Sequence, residues 1–216
     1  VGQKTISDKT HFTNFCENNE KMYLISSKRL AIYNQQNGQI QYKEIPFNYS
    51  RLNCILSLGK DTIGIGTSNG IILFFAQNNQ FRNVEMHFNV MRIFEDSHNE
   101  LWLFSKEQRG IVRYDPLTNE QQHYESPTQN MPKAELRSRD VIFEDNQGTL
   151  WVVPHLGCLS YYDREDKELK PYYTDYSKPE SKFTPVILNF YVDNQKNFWY
   201  ANNFWMDKIS FPMPIN

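Results

Sequence analysis

Two acid pairs stand in near-identical surroundings. Glu95-Asp96 lies in "FEDSHNELW" (94–102) and Glu144-Asp145 lies in "FEDNQGTLW" (143–151). Two carboxylates flanking one bond, one protonated and one ionised, are what acid–base cleavage of a glycosidic link requires. A third copy, "YVDNQKNFW" (191–199), keeps Asp193 but has Val192 in place of the Glu. Chemistry tied to this motif would have to recur at every copy. The acids therefore read as turn-shaping residues, and no catalytic set is assigned. Ser elbows, phosphate loops and zinc-protease helices are absent.

A second group of residues suits binding. Arg109, Arg137, Arg139, His155 and Trp205 fall in segments that read as loops, with Lys106, Gln108 and Asn203 close by. Aromatic faces and planar guanidinium forks are the tools of sugar recognition: rings stack on the one, hydroxyls and carboxylates take the other. These five are the candidate ligand contacts. His155-x-x-Cys158 is half of a metal motif, but structural zinc takes four ligands and no second pair follows. Neither a metal nor another cofactor is expected.

The elements that must position these groups follow from the repetition. An aromatic, then Asp two residues later, then Trp six residues after that gives Asp96/Trp102, Asp145/Trp151 and Asp193/Trp199. "FCENNEKMY" (15–23) repeats the beat with Glu17 in the Asp place and Tyr23 in the Trp place, and "LGKDTI" (58–63) is a shortened form ending on Ile63. Tyr23, Ile63, Trp102, Trp151 and Trp199 are thus separated by 40, 39, 49 and 48 residues, a period that means an array of similar units.

One unit predicts four strands. "DVIFED" alternates, "NQG" has the residues that tolerate positive φ, and "TLWVV" follows as a second strand. "PHLG" breaks it, "CLSYY" is a third strand, "DREDKE" a charged turn and "LKPYY" a fourth. Pro171 places that last strand at an edge, where a missing donor is tolerated. Asp115, Asp163 and Asn34 each follow a Tyr as turn starters. No apolar stripe of helical period appears. The fold class is all-β: four-stranded antiparallel β-propeller blades, about four and a half of them, forming an incomplete propeller. The approximate blade boundaries are 12–53, 54–91, 92–139, 140–187 and 188–216.

Bulk composition agrees. The 216 residues are 39% hydrophobic and 15% aromatic, which suits a packed β protein rather than a disordered one. A net charge of −2 gives no reason to expect nucleic acid. No apolar run reaches the ~18 residues of a membrane helix, so this segment is not expected to contact the membrane. Three cysteines, Cys16, Cys54 and Cys158, are too few and too odd in number for a disulfide framework and read as free thiols.

The whole pattern, aromatic-x-Asp-x-x-Gly-x-Leu-Trp, then Gly-x-Leu/Val-x-x-Tyr-Asp and a terminal Tyr, resembles the two-component regulator propeller repeat. Residues 143–173 carry it most fully, 94–124 carry it with Asn99 in place of the turn Gly, and 15–42, 58–75 and 191–211 carry it weakly. The resemblance implies the periplasmic sensor region of a hybrid two-component system histidine kinase, responsive to glycans. It implies a non-catalytic, ligand-sensing segment that recognises an oligosaccharide and regulates kinase signalling. The implied partners are the remaining blades or a second propeller of the parent sensor, or a second copy as a homodimer. Kinase, receiver and membrane segments are missing from these residues, so a fragment of a longer sensor is expected. The alternative is a small closed five-bladed ring in which "VGQKTI" (1–6) completes the last blade. Alternatives for function are a protein-interaction scaffold and a propeller glycan hydrolase or lyase.

Overall fold

The computed structural model describes residues 11–26, 28–59, 61–105, 110–125, 141–153, 159–172, 189–195, 197–201 and 206–209. Among them there is no helix. The strands pair antiparallel with their chain neighbours, giving four sheets of four strands and one of three, each in chain order. The first sheet is β1(Asn14–Asn18), β2(Lys21–Ile25), β3(Arg29–Asn34) and β4(Ile40–Glu44). The second is β5(Leu52–Leu58), β6(Thr62–Thr67), β7(Gly70–Phe75) and β8(Gln80–Glu85). The third is β9(Arg92–Glu95), β10(Leu101–Phe104), β11(Ile111–Tyr114) and β12(Gln121–Tyr124). The fourth is β13(Val141–Glu144), β14(Leu150–Val153), β15(Ser160–Asp163) and β16(Glu168–Pro171). β17(Asn189–Val192), β18(Phe198–Ala201) and β19(Met206–Ile209) form the last. Pro171 ends β16, the edge strand of its sheet, as its missing donor demands.

The chain divides into two compact units, Val1–Ile93 and Phe94–Asn216. In the first, the two sheets pack through Tyr23, Ile25, Leu30 and Ile32 on one side and Ile63, Ile65, Ile72 and Phe74 on the other. Asn14 Nδ2 adds a hydrogen bond across that seam to Asn53 O at 2.9 Å. Cys16 and Cys54 are free and half-buried; burial pushes both thiols up to about 12, so they stay protonated and unreactive.

In the second unit the faces bearing Trp102 and Trp151 are covered by the following sheet. Trp102, 0% exposed, meets Tyr162 edge-on at 4.8 Å with Leu150, Val152 and Leu169 around it. Tyr124 and Tyr162 share a hydroxyl–hydroxyl hydrogen bond of 3.0 Å. Trp151, 1% exposed, lies in the next seam, where Phe143 stacks on Phe198 at 4.7 Å and 8°. Trp199 is less buried than Trp102 and Trp151. It is half-buried, Lys208 Nζ sits 5.2 Å from its ring centre, and Tyr191 beside it is 63% exposed. Among the described residues of this unit no further sheet follows it.

The first hairpin corrects the sequence alignment. Cys16 pairs with Tyr23 and Asn18 with Lys21, leaving a two-residue turn at Asn19 (φ 48) and Glu20 (φ 60). In the fourth sheet Phe143 pairs with Trp151 across a longer turn. Asn18, not Glu17, therefore occupies the Asp position: Asn18 is buried and Glu17 is exposed. Residues 1–6, which the closed-ring alternative would use, lie outside the described residues, as does Cys158.

Candidate functional site

The repeated motif builds one device three times. The indole Nε1 donates to the Asp Oδ2 in Trp102/Asp96 (2.9 Å), Trp151/Asp145 (2.8 Å) and Trp199/Asp193 (3.0 Å). The other oxygen, Oδ1, accepts two backbone N–H groups of the turn: His98 and Glu100, Gln147 and Thr149, Gln195 and Asn197. The turn also needs a left-handed residue, supplied by Gly148 (φ 80) and by Asn99 (φ 62). Each carboxylate is thus committed to its own hairpin. Asp115, Asp163 and Asn34 likewise accept the backbone N–H two residues on, at the turns after β11, β15 and β3.

Three of these turns meet in the second unit. Residues at the ends of β9, β13 and β17 line an open groove of about 790 Å3, including Asp96, Ser97, Glu144 and Asp193. Ser97 joins two sheets by donating its hydroxyl to Glu144 Oε1 at 2.7 Å and its backbone N–H to Oε2 at 3.0 Å. Arg164 is the cation of this region. It reaches Asp96 at 2.8 Å, Glu100 at 3.1 Å and Glu144 at 3.8 Å, and Glu100 also pairs with Arg113.

The electrostatics suit ionised carboxylates rather than proton donors. Burial pushes the Asp96 carboxyl up, but hydrogen bonds from Trp102, Arg164 and the Glu100 backbone outweigh it and hold it below the usual range. The Trp199 and Asn197 hydrogen bonds bring Asp193 down to about 2. A general acid in glycoside cleavage needs the opposite displacement. No group of three or more His, Cys, Asp and Glu side chains among the described residues could hold a metal ion.

The five candidate contacts read from the sequence, Arg109, Arg137, Arg139, His155 and Trp205, all lie outside the described residues, as do Lys106, Gln108, Asn203 and Cys158. Arg164 and Glu100, which organise the groove, were missed. Their one sequence signal is charge complementarity across 64 residues, which no local motif expresses.

No protein-family model matches the chain, and no curated protein matches it. Solved structures do. The extracellular domain of the hybrid two-component system BT4673 from B. thetaiotaomicron is 18% identical, with a TM-score of 0.69 over 98% of this chain and 28% of that one. Virginiamycin B lyase from Staphylococcus aureus is 11% identical, with a TM-score of 0.67 over 96% of this chain and 72% of that one. The β-propeller domain of Cps50 (Swd1) from Myceliophthora thermophila is 13% identical, with a TM-score of 0.62 over 89% and 63%. The protein is an all-β chain built of propeller blades. It spans under a third of the length of the extracellular domain it matches. Among the described residues there is no helix long and apolar enough to cross a membrane.

Proposed function

We propose that this chain is a non-catalytic segment of the periplasmic sensor region of a membrane-spanning hybrid two-component histidine kinase, and that it takes part in recognising an oligosaccharide. The observation that carries the reading is fold likeness over nearly the whole chain to an extracellular domain of such a system. The committed carboxylates support it: Asp96, Asp145 and Asp193 hold indoles and turns. The mechanism is a population shift. A glycan contacting several loops binds one arrangement of the assembled sensor more tightly, and only that difference in affinity moves the equilibrium. On this reading the chain is one propeller segment, and its partners are the parent's other blades or a second copy.

The test is glycan induction in the full-length regulator. Replacing Arg109, Arg137, Arg139, His155 and Trp205 together with Ala should abolish induction while thermal unfolding of the sensor region stays unchanged. Induction that survives in a folded variant refutes these contacts. The likeness to virginiamycin B lyase favours a second reading, a propeller lyase or hydrolase. New reducing ends or unsaturated sugars, released from a glycan by the purified chain, would establish it and overturn the sensor reading.

A further inference from the structure

Equivalent clefts in the two units differ in what fills them. Strand register places Tyr23 and Trp102 in the same column, each next to a residue of the third strand: Ile32 beside Tyr23 and Arg113 beside Trp102. In the second unit the cleft beside Trp102 holds charge. Glu100, two residues before the Trp, pairs with Arg113 and with Arg164 of the next sheet, and Arg164 also reaches Asp96. The ion-paired side chains plug the space between the sheets.

In the first unit every member of that plug is changed. Lys21 stands in the place of Glu100, Ile32 in the place of Arg113, and, by the Ile63–Phe74 and Trp151–Tyr161 pairings, Gln77 in the place of Arg164. The smaller Tyr23 replaces the Trp. A cleft of about 180 Å3 remains, with Tyr23, Ile32 and Phe74 along its base and Lys21, Gln41 and Asn79 among its polar walls.

The base of the cleft includes a tyrosine with a polar tip. Tyr23 is 2% exposed, and its hydroxyl has no hydrogen-bond partner among the described residues. Its counterparts Trp102 and Trp151 spend their N–H on an Asp. Asn18, which holds the Asp position here, gives its amide to Ser57 Oγ (2.7 Å) and Gly59 O (2.8 Å) instead. The side chains of Lys21, Gln41 and Asn79 also have no hydrogen-bond or ion-pair partner among the described residues.

We propose that this cleft binds a single acidic sugar unit. The volume equals about six waters at ~30 Å3 each, enough for one six-membered ring. Amide side chains both donate and accept, which matches ring hydroxyls. Tyr23 OH supplies a further hydroxyl contact, and the C–H face of the ring lies on Tyr23 and Phe74. Lys21 is the one charged side chain lining the cleft, and it selects a carboxylate. The proposal rests on the glycan reading and adds to it a site, a unit size and a charge.

The full 216-residue chain is titrated by saturation-transfer NMR with D-glucuronate and D-glucose. Glucuronate should bind with a Kd of ~1–10 mM and about tenfold more tightly than glucose. Lys21→Ala should remove that preference. Gln41→Ala and Tyr23→Phe should weaken both sugars about fivefold, and none of the three should lower the melting temperature, because none removes a protein–protein hydrogen bond. Absence of glucuronate binding, equal affinity for the two sugars, or binding that the three folded variants leave unchanged overturns the proposal. Those results leave glycan induction of the parent regulator standing, so the two readings fail separately.

Discussion

Trp151 Nε1 donates to Asp145 Oδ2 at 2.8 Å while Asp145 Oδ1 holds the Gln147 and Thr149 N–H groups at 2.9 Å each. One buried carboxylate therefore joins the tip of a hairpin to the largest side chain of its second strand. Neither oxygen is spare, which fixes the acid as Asp: an amide has one acceptor oxygen and cannot serve both sides.

Asp145→Ala is expected to destabilise the chain by about 1–3 kcal/mol, the usual cost of leaving buried donors unmatched. Asp145→Asn should lose less but still measurably, since it can satisfy the turn or the indole. Urea unfolding followed by Trp fluorescence checks this. Equal stability of the Asn variant and the parent would show that the two oxygens are not both needed.

Trp151→Ala should cost about 3–5 kcal/mol, as truncation of a buried aromatic does. The same change at half-buried Trp199 should cost about 1–2 kcal/mol, because much of its ring already meets solvent. A loss under about 1 kcal/mol at Trp151 would contradict its place in the seam with Phe198.

Acid should unfold the chain through depressed carboxylates. A group whose folded pKa lies below its unfolded value contributes stability that is present above the unfolded value and lost as pH falls through the folded one. Asp96 is depressed and Asp193 lies at about 2. With an unfolded value of ~3.9, their contribution should disappear between about pH 4 and pH 2. Melting temperature across that range should fall, and Trp199→Phe should narrow the drop by removing the hydrogen bond that lowers Asp193. A melting temperature that rises on acidification through this window would refute the assignment.

Arg164→Ala leaves the fully buried Asp96 side chain beside Glu100 and Glu144 with its cation gone. A loss of about 2–4 kcal/mol is expected, with the acid midpoint moved upward. Arg164→Met, which keeps much of the packing but not the charge, should cost nearly as much. Chemical denaturation of both variants at neutral pH tests the pair, and no loss in Arg164→Ala would show that solvent already screens the cluster.

The repeat was legible because its defining bond is local. Asp and Trp six residues apart must meet across a hairpin, and the chain repeats that spacing three times. The same logic misled at the first copy. Glu17 and Tyr23 keep the six-residue spacing, but left-handed Asn19 and Glu20 close a tighter turn, and the pairing moves Asn18 into the Asp position. The groove and the cleft were not legible. Arg164 finds Asp96 68 residues away, and the cleft takes Tyr23 and Gln41 from one sheet and Phe74 and Asn79 from the next. Such groups come together through sheet-on-sheet packing, which spacing along the chain does not encode. The candidate contacts Arg109, Arg137, Arg139, His155 and Trp205 rest on loop position alone.

The Asp–Trp bond reaches only six residues along the chain, so each sheet of the second unit carries its own fastener. A tandem duplication of one such stretch inserts a hairpin that closes without help from its neighbours, and nearest-neighbour packing then extends the array. Gene length can grow or shrink by whole units while old seams stay intact. Innovation is pushed to the positions the fastener leaves unconstrained, such as the column where Lys21 and Glu100 diverge. Copying supplies the scaffold, and drift at a few seam positions decides which gaps stay plugged and which open to a ligand.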